Sequence, residues 1–300
     1  MNKIRLGLEW FLNPDHLPFL IAFQKGWFED AGLEVEMIEP EEHLDAVDEI
    51  EAGEMDLAVT EPLHLVEDAC EGRSVVGIAR FLHTNGGVMY FEGNGIERPR
   101  DMAGKRIQYP GAPGPGGPAI VGTMIEADGG TYDPDDFEPV NNGFYHTDAL
   151  LEDKADLATL AFYNFEIVEA RHRGADAEFF ALKDWGVPDF CQLILITSPE
   201  LLDEKRETFD TFLTITQRGL DFAHQHPQEA RDIYFQRTET DEDDPLMNDI
   251  FDATVPCFTF DFSMTDEYYA GLQSWMSERG LVERTLDADA FWSNTLVFDD

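Results

Sequence analysis

Apolar and polar positions along this chain repeat with two different periods, and each change of period marks an element boundary. Ile4 to Leu8 reads as a strand. After the polar, aromatic stretch EWFLNPDH, the run LPFLIAFQ reads as a buried helix from Leu17 to Gln24. Pro14 and Asp15 suit its start, because proline fits a first turn and aspartate can cap one. The pattern then repeats: a strand at Val35 to Ile38, a helix from His43 to Ala52, a strand at Met55 to Val59 and a helix from Leu63 to Cys70. Val75 to Phe81 and Gly87 to Phe91 continue that sheet.

A new set opens with the strand Arg106 to Tyr109 and continues with helix Ala119 to Ala127, strand Phe137 to Val140, helix Thr147 to Glu152 and strand Leu157 to Ala161. The chain returns through Cys191 to Thr197. From Pro199 it is mainly helical, over Pro199 to Leu202, Glu204 to Gln225, Pro227 to Gln236 and Thr265 to Arg279, and these helices are expected to pack on the first lobe. The expected fold is therefore α/β and two-lobed. Residues 1–95 with 196–300 form lobe one and residues 96–195 form lobe two, with mixed sheets, two crossing strands and an interlobe cleft able to close on a ligand. The rival architecture is one continuous doubly wound sheet. The acidic run Thr238 to Pro245 reads as a solvated loop.

Charge narrows the partners. With 62 acidic against 20 basic residues, the formal net charge is -42, which repels nucleic acid and anionic membranes. The acidic residues are spread along the chain and lysine is scarce, six against fourteen arginines, as expected of a protein adapted to salt that screens its self-repulsion. Cys70, Cys191 and Cys257 have neither zinc spacing nor the even count of a disulfide framework, and Cys191 reads as a buried apolar thiol. No apolar run approaches the ~20 residues needed to cross a bilayer. The first residues lead directly into a strand, which reads as cytoplasmic; a removed signal would make the protein extracellular and membrane-associated.

Ligands of open α/β sheets bind beyond the carboxyl ends of strands. Trp10, Asn13 and His16 lie at one such end, and Thr60, Glu61 and His64 at another, with Thr60 and His64 spaced to share a helical face. Tyr163, Asn164 and Glu166 follow the strand DLATLA, where aromatics beside a carboxylate suit a flat, nitrogen-rich ring. Tyr109 and the loop GAPGPGG, including Gly111 and Gly114, could receive a ligand oxygen or form a plain turn. Asp189 in GVPDF stands at a crossover, as a ligand contact or a turn cap. No Ser/His/Asp set or acid pair stands out for catalysis.

Several stretches together resemble the family of thiamine-pyrimidine synthases and thiamine-precursor-binding transport proteins, related to the alkanesulfonate and nitrate binding proteins. They are EWFLNPDHLPF, KGWFEDAGLEVE, GEMDLAVTEPLH, GKRIQYPG, DALLEDKADLATLAFYNFE and DWGVPDFCQLILITS, which span most of residues 4 to 235. The resemblance implies a periplasmic-binding-protein type II fold. In the synthase branch it implies a pyridoxal phosphate lysine four residues before a helix histidine and a CCCFC stretch; here those places hold Thr60, His64 and VPDFCQL. In the carrier branch it implies binding of formylaminopyrimidine, with Trp10 and Tyr163 stacking on the ring and Asn13 and Glu166 making polar contacts.

The functional expectation is a solute-binding protein for a thiamine-related aminopyrimidine, without cofactor or catalytic residues, serving salvage or uptake. Its partners would be the small pyrimidine ligand and an ABC transporter permease. The alternatives are a pyrimidine phosphate synthase-like enzyme and, lower, a binder of sulfonates or another small anion.

Overall fold

A computed structural model describes residues 2–40, 46–110 and 112–296. The chain forms two compact units. One comprises the residues up to His83, Gln192–Ser274 and those from Val282 onward; the other comprises Thr84–Cys191 and Trp275–Leu281.

In the first unit, strand β1 (Asn2–Gly7) leads through a 3-10 turn, Pro14–His16, into α1 (Leu17–Gln24). Leu17 to Ala22 are all buried, as a helix apolar on every side must be. Next come α2 (Trp27–Asp30), β2 (Leu33–Ile38), α3 (Ala46–Glu51), β3 (Leu57–Thr60), α4 (Pro62–Glu71) and β4 (Val76–His83). The helix expected from His43 thus begins, among described residues, at Ala46; His43 itself lies outside them.

The second unit contains β5 (Gly86–Phe91), β6 (Arg106–Gln108), α5 (Gly116–Ala127), β7 (Glu138–Val140), α6 (His146–Leu151), β8 (Leu157–Phe162), α7 (Val168–His172) and β9 (Ala177–Ala181). The chain then re-enters the first unit with β10 (Gln192–Thr197). It ends in α8 (Pro199–Glu204), α9 (Arg206–Gln225), α10 (Pro227–Thr238), α11 (Pro245–Thr254) and α12 (Asp266–Glu278).

Each unit has its own five-stranded mixed sheet, ordered β2-β1-β3-β10-β4 and β7-β6-β8-β5-β9. In the first, β1 runs parallel to β2 and β3, whereas β10 is antiparallel to β3 and β4. In the second, β6 is parallel to β7 and β8, and β5 is antiparallel to β8 and β9.

This pairing corrects two expectations. Gly86–Phe91 does not extend the first sheet, because it pairs with β8 and β9, so the chain leaves the first unit after His83 instead of near residue 96 and returns at Gln192 instead of 196. The end of α12 also departs from the expected packing on the first lobe. Trp275 belongs to the second unit, where its indole donates to Thr123 Oγ1 at 3.0 Å, and Arg279 pairs with Glu126 at 2.7 Å.

The first unit's core is aromatic. Phe19 of α1 meets Phe81 of β4 edge-on at 5.0 Å and stacks with Phe212 of α9 at 5.9 Å; Phe28 covers the same Phe212 at 5.2 Å. Each buried Phe contributes about 1.5–3 kcal/mol, which fixes α1 and the turn before it against the sheet. Asp56 anchors the sheet's other end. Its carboxylate takes Arg5 and Lys205, and the Arg5 and Lys205 bonds hold it below the usual carboxylate range against the opposing pull of burial. Among the described residues no helix is long and apolar enough to cross a membrane.

Candidate ligand-binding site

Parallel pairing sets the first group of residues. Leu6 and Gly7 of β1 lie opposite Leu57 and Ala58 of β3, so the segments leaving these two strands emerge side by side at the sheet's carboxyl edge. One carries Glu9, Trp10, Asn13 and His16; the other carries Thr60, Glu61 and His64.

The turn after β1 is built from its own polar groups. Asn13 Oδ1 accepts the Asp15 amide at 2.8 Å, its Nδ2 donates to the Phe11 carbonyl at 3.0 Å, and its backbone amide donates to His16 Nδ1 at 3.2 Å. Asn13 is fully buried, so its side-chain amide is committed to the turn and shapes the loop bearing Trp10. His16 is also fully buried and sets its Nε2 2.9 Å from Glu9 Oε2. With Nδ1 accepting from Asn13, the neutral ring carries its proton on Nε2 and donates it to Glu9. Burial opposes a charged ring, but the Glu9 charge and hydrogen bond, with Asp15 and Glu39, outweigh it and raise the His16 pKa. A second proton on Nδ1 would face the Asn13 amide, which limits that rise. Trp10 stays partly exposed, tilted against the exposed Phe11 with ring centres 4.3 Å apart.

On the neighbouring segment, Thr60 is buried and its Oγ1 lies 3.4 Å from His64 Nδ1. Glu61 occupies the cap position of α4 but makes no side-chain capping bond. The residue is partly exposed, yet its Oε2 is sealed from solvent and has no hydrogen-bond partner among the described residues. Burial first, then the charge of Glu9, push its carboxyl up to about 8. Sequence reading placed Glu61 at a strand end without selecting it as a site residue. The available signal was a carboxylate immediately before a helix-starting proline at a carboxyl edge.

The second group sits on the second unit's sheet, where β6 and β8 are parallel neighbours. Pairing between β5 and β8 shifts register between Gly87 and Met89, and Leu160, within that bulge, has a φ of 60°. A leucine in the left-handed region costs about 1–2 kcal/mol and marks a place where the chain is re-aimed. Immediately after it, Tyr163–Ile167 forms one turn of π-helix, a feature frequent at functional sites.

Tyr163 is 38% exposed, with its ring edge-on to Phe179 at 5.4 Å and its hydroxyl accepting from Arg171 at 3.3 Å. Asn164 and Glu166 are buried: Thr84 Oγ1 donates to Asn164 Oδ1 at 2.8 Å, and Glu166 Oε2 accepts the Phe162 amide at 2.7 Å. Both hold the turn that displays Tyr163.

After β6, buried Tyr109 donates to the Gly114 carbonyl, and its ring fills the space a side chain at Gly117 would need. Tyr109 and Gly114 thus brace the Pro/Gly loop; Gly111 lies outside the described residues. Asp189 is partly buried in the segment before β10. Cys191 is fully buried against Gly86, as an apolar thiol.

Pyridoxal phosphate does not fit as a Schiff base at Thr60: its side chain is a hydroxyl set against His64, with no amine to condense. No cluster of three or more His, Cys, Asp or Glu suited to a metal occurs among the described residues.

Two mixed sheets in separate units, with polar and aromatic groups at strand carboxyl edges, make this the fold of periplasmic binding proteins. The structure of the aliphatic sulphonate binding protein SsuA from Escherichia coli matches all of this chain and 95% of its own with a TM-score of 0.75 at 11% identity. A generic periplasmic-binding-protein-fold product of Candida albicans matches with a TM-score of 0.73 over 100% and 99% of the two chains, at 13% identity. Residues 13–230 match the NMT1/THI5-like family model, and the chain belongs to that family. Among its relatives, a 4-amino-5-hydroxymethyl-2-methylpyrimidine phosphate synthase of Legionella pneumophila is 26% identical, over 99% of this chain and 93% of its own. A formylaminopyrimidine-binding protein of Halalkalibacterium halodurans is 24% identical, over 98% and 91%.

Proposed function

We propose that this protein reversibly binds a thiamine-related aminopyrimidine of the formylaminopyrimidine kind, for salvage or uptake, without covalent chemistry. The observation that carries the reading is the carboxyl edge of the first sheet, where partly exposed Trp10 leaves β1 beside Glu61 leaving β3. A planar ring stacks on indole, and its amine and ring nitrogen supply the hydrogen-bond partner that the sealed Glu61 oxygen lacks among the described residues.

The synthase reading has the Legionella relative in its favour, but Thr60 removes the covalent hold on pyridoxal phosphate that the resemblance implies. A sulfonate-binding reading needs a cation, and neither Arg nor Lys stands among Glu9, Trp10, Asn13, His16, Thr60, Glu61 and His64. The charge of -42 fits work in concentrated salt. Uptake would require the permease of an ABC importer as partner.

Native mass spectrometry of the protein purified from its own salt-grown source tests the reading. One copurifying aminopyrimidine per chain is expected; a phosphorylated cofactor or a sulfonate in its place would contradict it.

A further inference from the structure

We propose that Glu61 is the specificity residue of this site, pairing as a neutral carboxylic acid with the N–C–NH2 edge of a 4-aminopyrimidine. This deepens the aminopyrimidine reading and rests on it. In the pairing, the acid's hydroxyl donates to the ring nitrogen and its carbonyl accepts from the exocyclic amine.

The geometry singles Glu61 out. Its neighbours at the edge already have partners: Glu9 holds His16, Asn13 is committed to its turn, and Thr60 meets His64. Glu61 makes no capping bond, although it precedes a ten-residue helix, and Oε2 is sealed and without a hydrogen-bond partner among the described residues. An ionised carboxylate has acceptors only, whereas the neutral acid offers one donor and one acceptor, the complement of that pyrimidine edge.

The surrounding charges favour the neutral form. Glu9, from the loop after β1, is the charge acting on Glu61, and that loop also carries Asp15. Glu39, beyond β2, accepts the Leu12 amide at 2.8 Å. His16 is turned to Glu9, and His64, on α4, to Thr60. Among the described residues no Lys or Arg acts on Glu61, and its carboxyl titrates at about 8.

Calorimetry in molar potassium chloride, with 4-amino-5-hydroxymethyl-2-methylpyrimidine as probe, tests the pairing. Wild-type affinity should fall roughly thirtyfold between about pH 7 and about pH 9.5, with proton uptake on binding near pH 8, as follows when only the protonated acid pairs. Glu61→Gln reproduces the donor and acceptor without a titrating proton, so it should bind within about threefold of wild type with no pH dependence and no proton uptake. Glu61→Leu should lose at least about tenfold, as should wild type with the probe lacking its 4-amino group.

Wild-type binding that ignores pH, a pH dependence retained in Glu61→Gln, or unchanged binding by Glu61→Leu would each overturn the assignment while leaving the aminopyrimidine reading intact. No binding of any aminopyrimidine by wild type would overturn both.

Discussion

Glu9 and His16 close the loop after the first strand on itself: the carboxylate accepts the imidazole Nε2 proton at 2.9 Å, across seven residues. Because His16 has no solvent exposure, its nitrogen has no water to turn to if Glu9 is removed. Glu9→Ala should cost about 1–3 kcal/mol. At about 2–4 °C per kcal/mol for a unit of this size, the melting temperature in molar salt should drop by several degrees. An unchanged melting temperature would mean that the pair does not hold the loop.

Glu61 gives stability a pH dependence opposite in sign to that of a salt-bridged acid. Its folded carboxyl titrates at about 8, above the ordinary 4.5, so the folded state keeps a proton that the unfolded chain has already released. Stability therefore falls as pH rises from about 4.5 to about 8. Glu61→Gln lacks this loss. Melting curves of the two proteins should converge below about pH 4.5, separate progressively up to about pH 8 and stay apart above it, with the variant melting higher. Parallel curves across that range would show that Glu61 titrates normally.

Partly exposed Trp10 should contribute to ligand binding and little to folding. Trp10→Ala should weaken aminopyrimidine binding by roughly tenfold or more, since stacking on one aromatic side chain contributes about 1–3 kcal/mol per base. Trp10→Phe should recover much of the loss. Calorimetry together with melting temperature separates the effects; a fall in stability with unchanged affinity would make this side chain structural.

Salt should be part of the fold's stability. With a net charge of -42, lowering the salt from about 1 M to about 0.1 M lengthens the screening distance from about 3 Å to about 10 Å, and repulsion then reaches between neighbouring carboxylates. The melting temperature should fall steeply over that range, as measured by circular dichroism. A salt-independent transition would remove the case for salt adaptation.

Local pattern made most of the elements legible. The mostly apolar run LPFLIAFQ read as a buried helix because Pro14 and Asp15 signal a helix start before it, and the strands at Val35, Leu57 and Arg106 announced themselves by short apolar runs between turn signals. Sequence-distant contacts did not announce themselves. Gly86–Phe91 looks like another strand of the first sheet, and only its pairing with β8 and β9 assigns it elsewhere. Trp275 belongs to the second unit through Thr123, a partner 152 residues away.

Helix α11 lay behind the acidic run before it, although its start signal was present: Asp244 Oδ1 accepts the Leu246 and Met247 amides around Pro245. The candidate site divides in the same way. Trp10 and Tyr163 were readable as aromatics at strand ends, and both are exposed there to some degree. The commitment of Asn13 and Glu166 to their own turns, and the isolation of Glu61 beside Glu9, depend on which strands become neighbours.

The central claim is reversible recognition of an aminopyrimidine, and one titration tests it most directly: wild-type protein in molar potassium chloride, near pH 7, against 4-amino-5-hydroxymethyl-2-methylpyrimidine and its formylaminomethyl counterpart by calorimetry. Saturable binding of at least one at one equivalent per chain, with an alkanesulfonate giving no heat, is the predicted result. Binding of the sulfonate with neither pyrimidine would contradict the account.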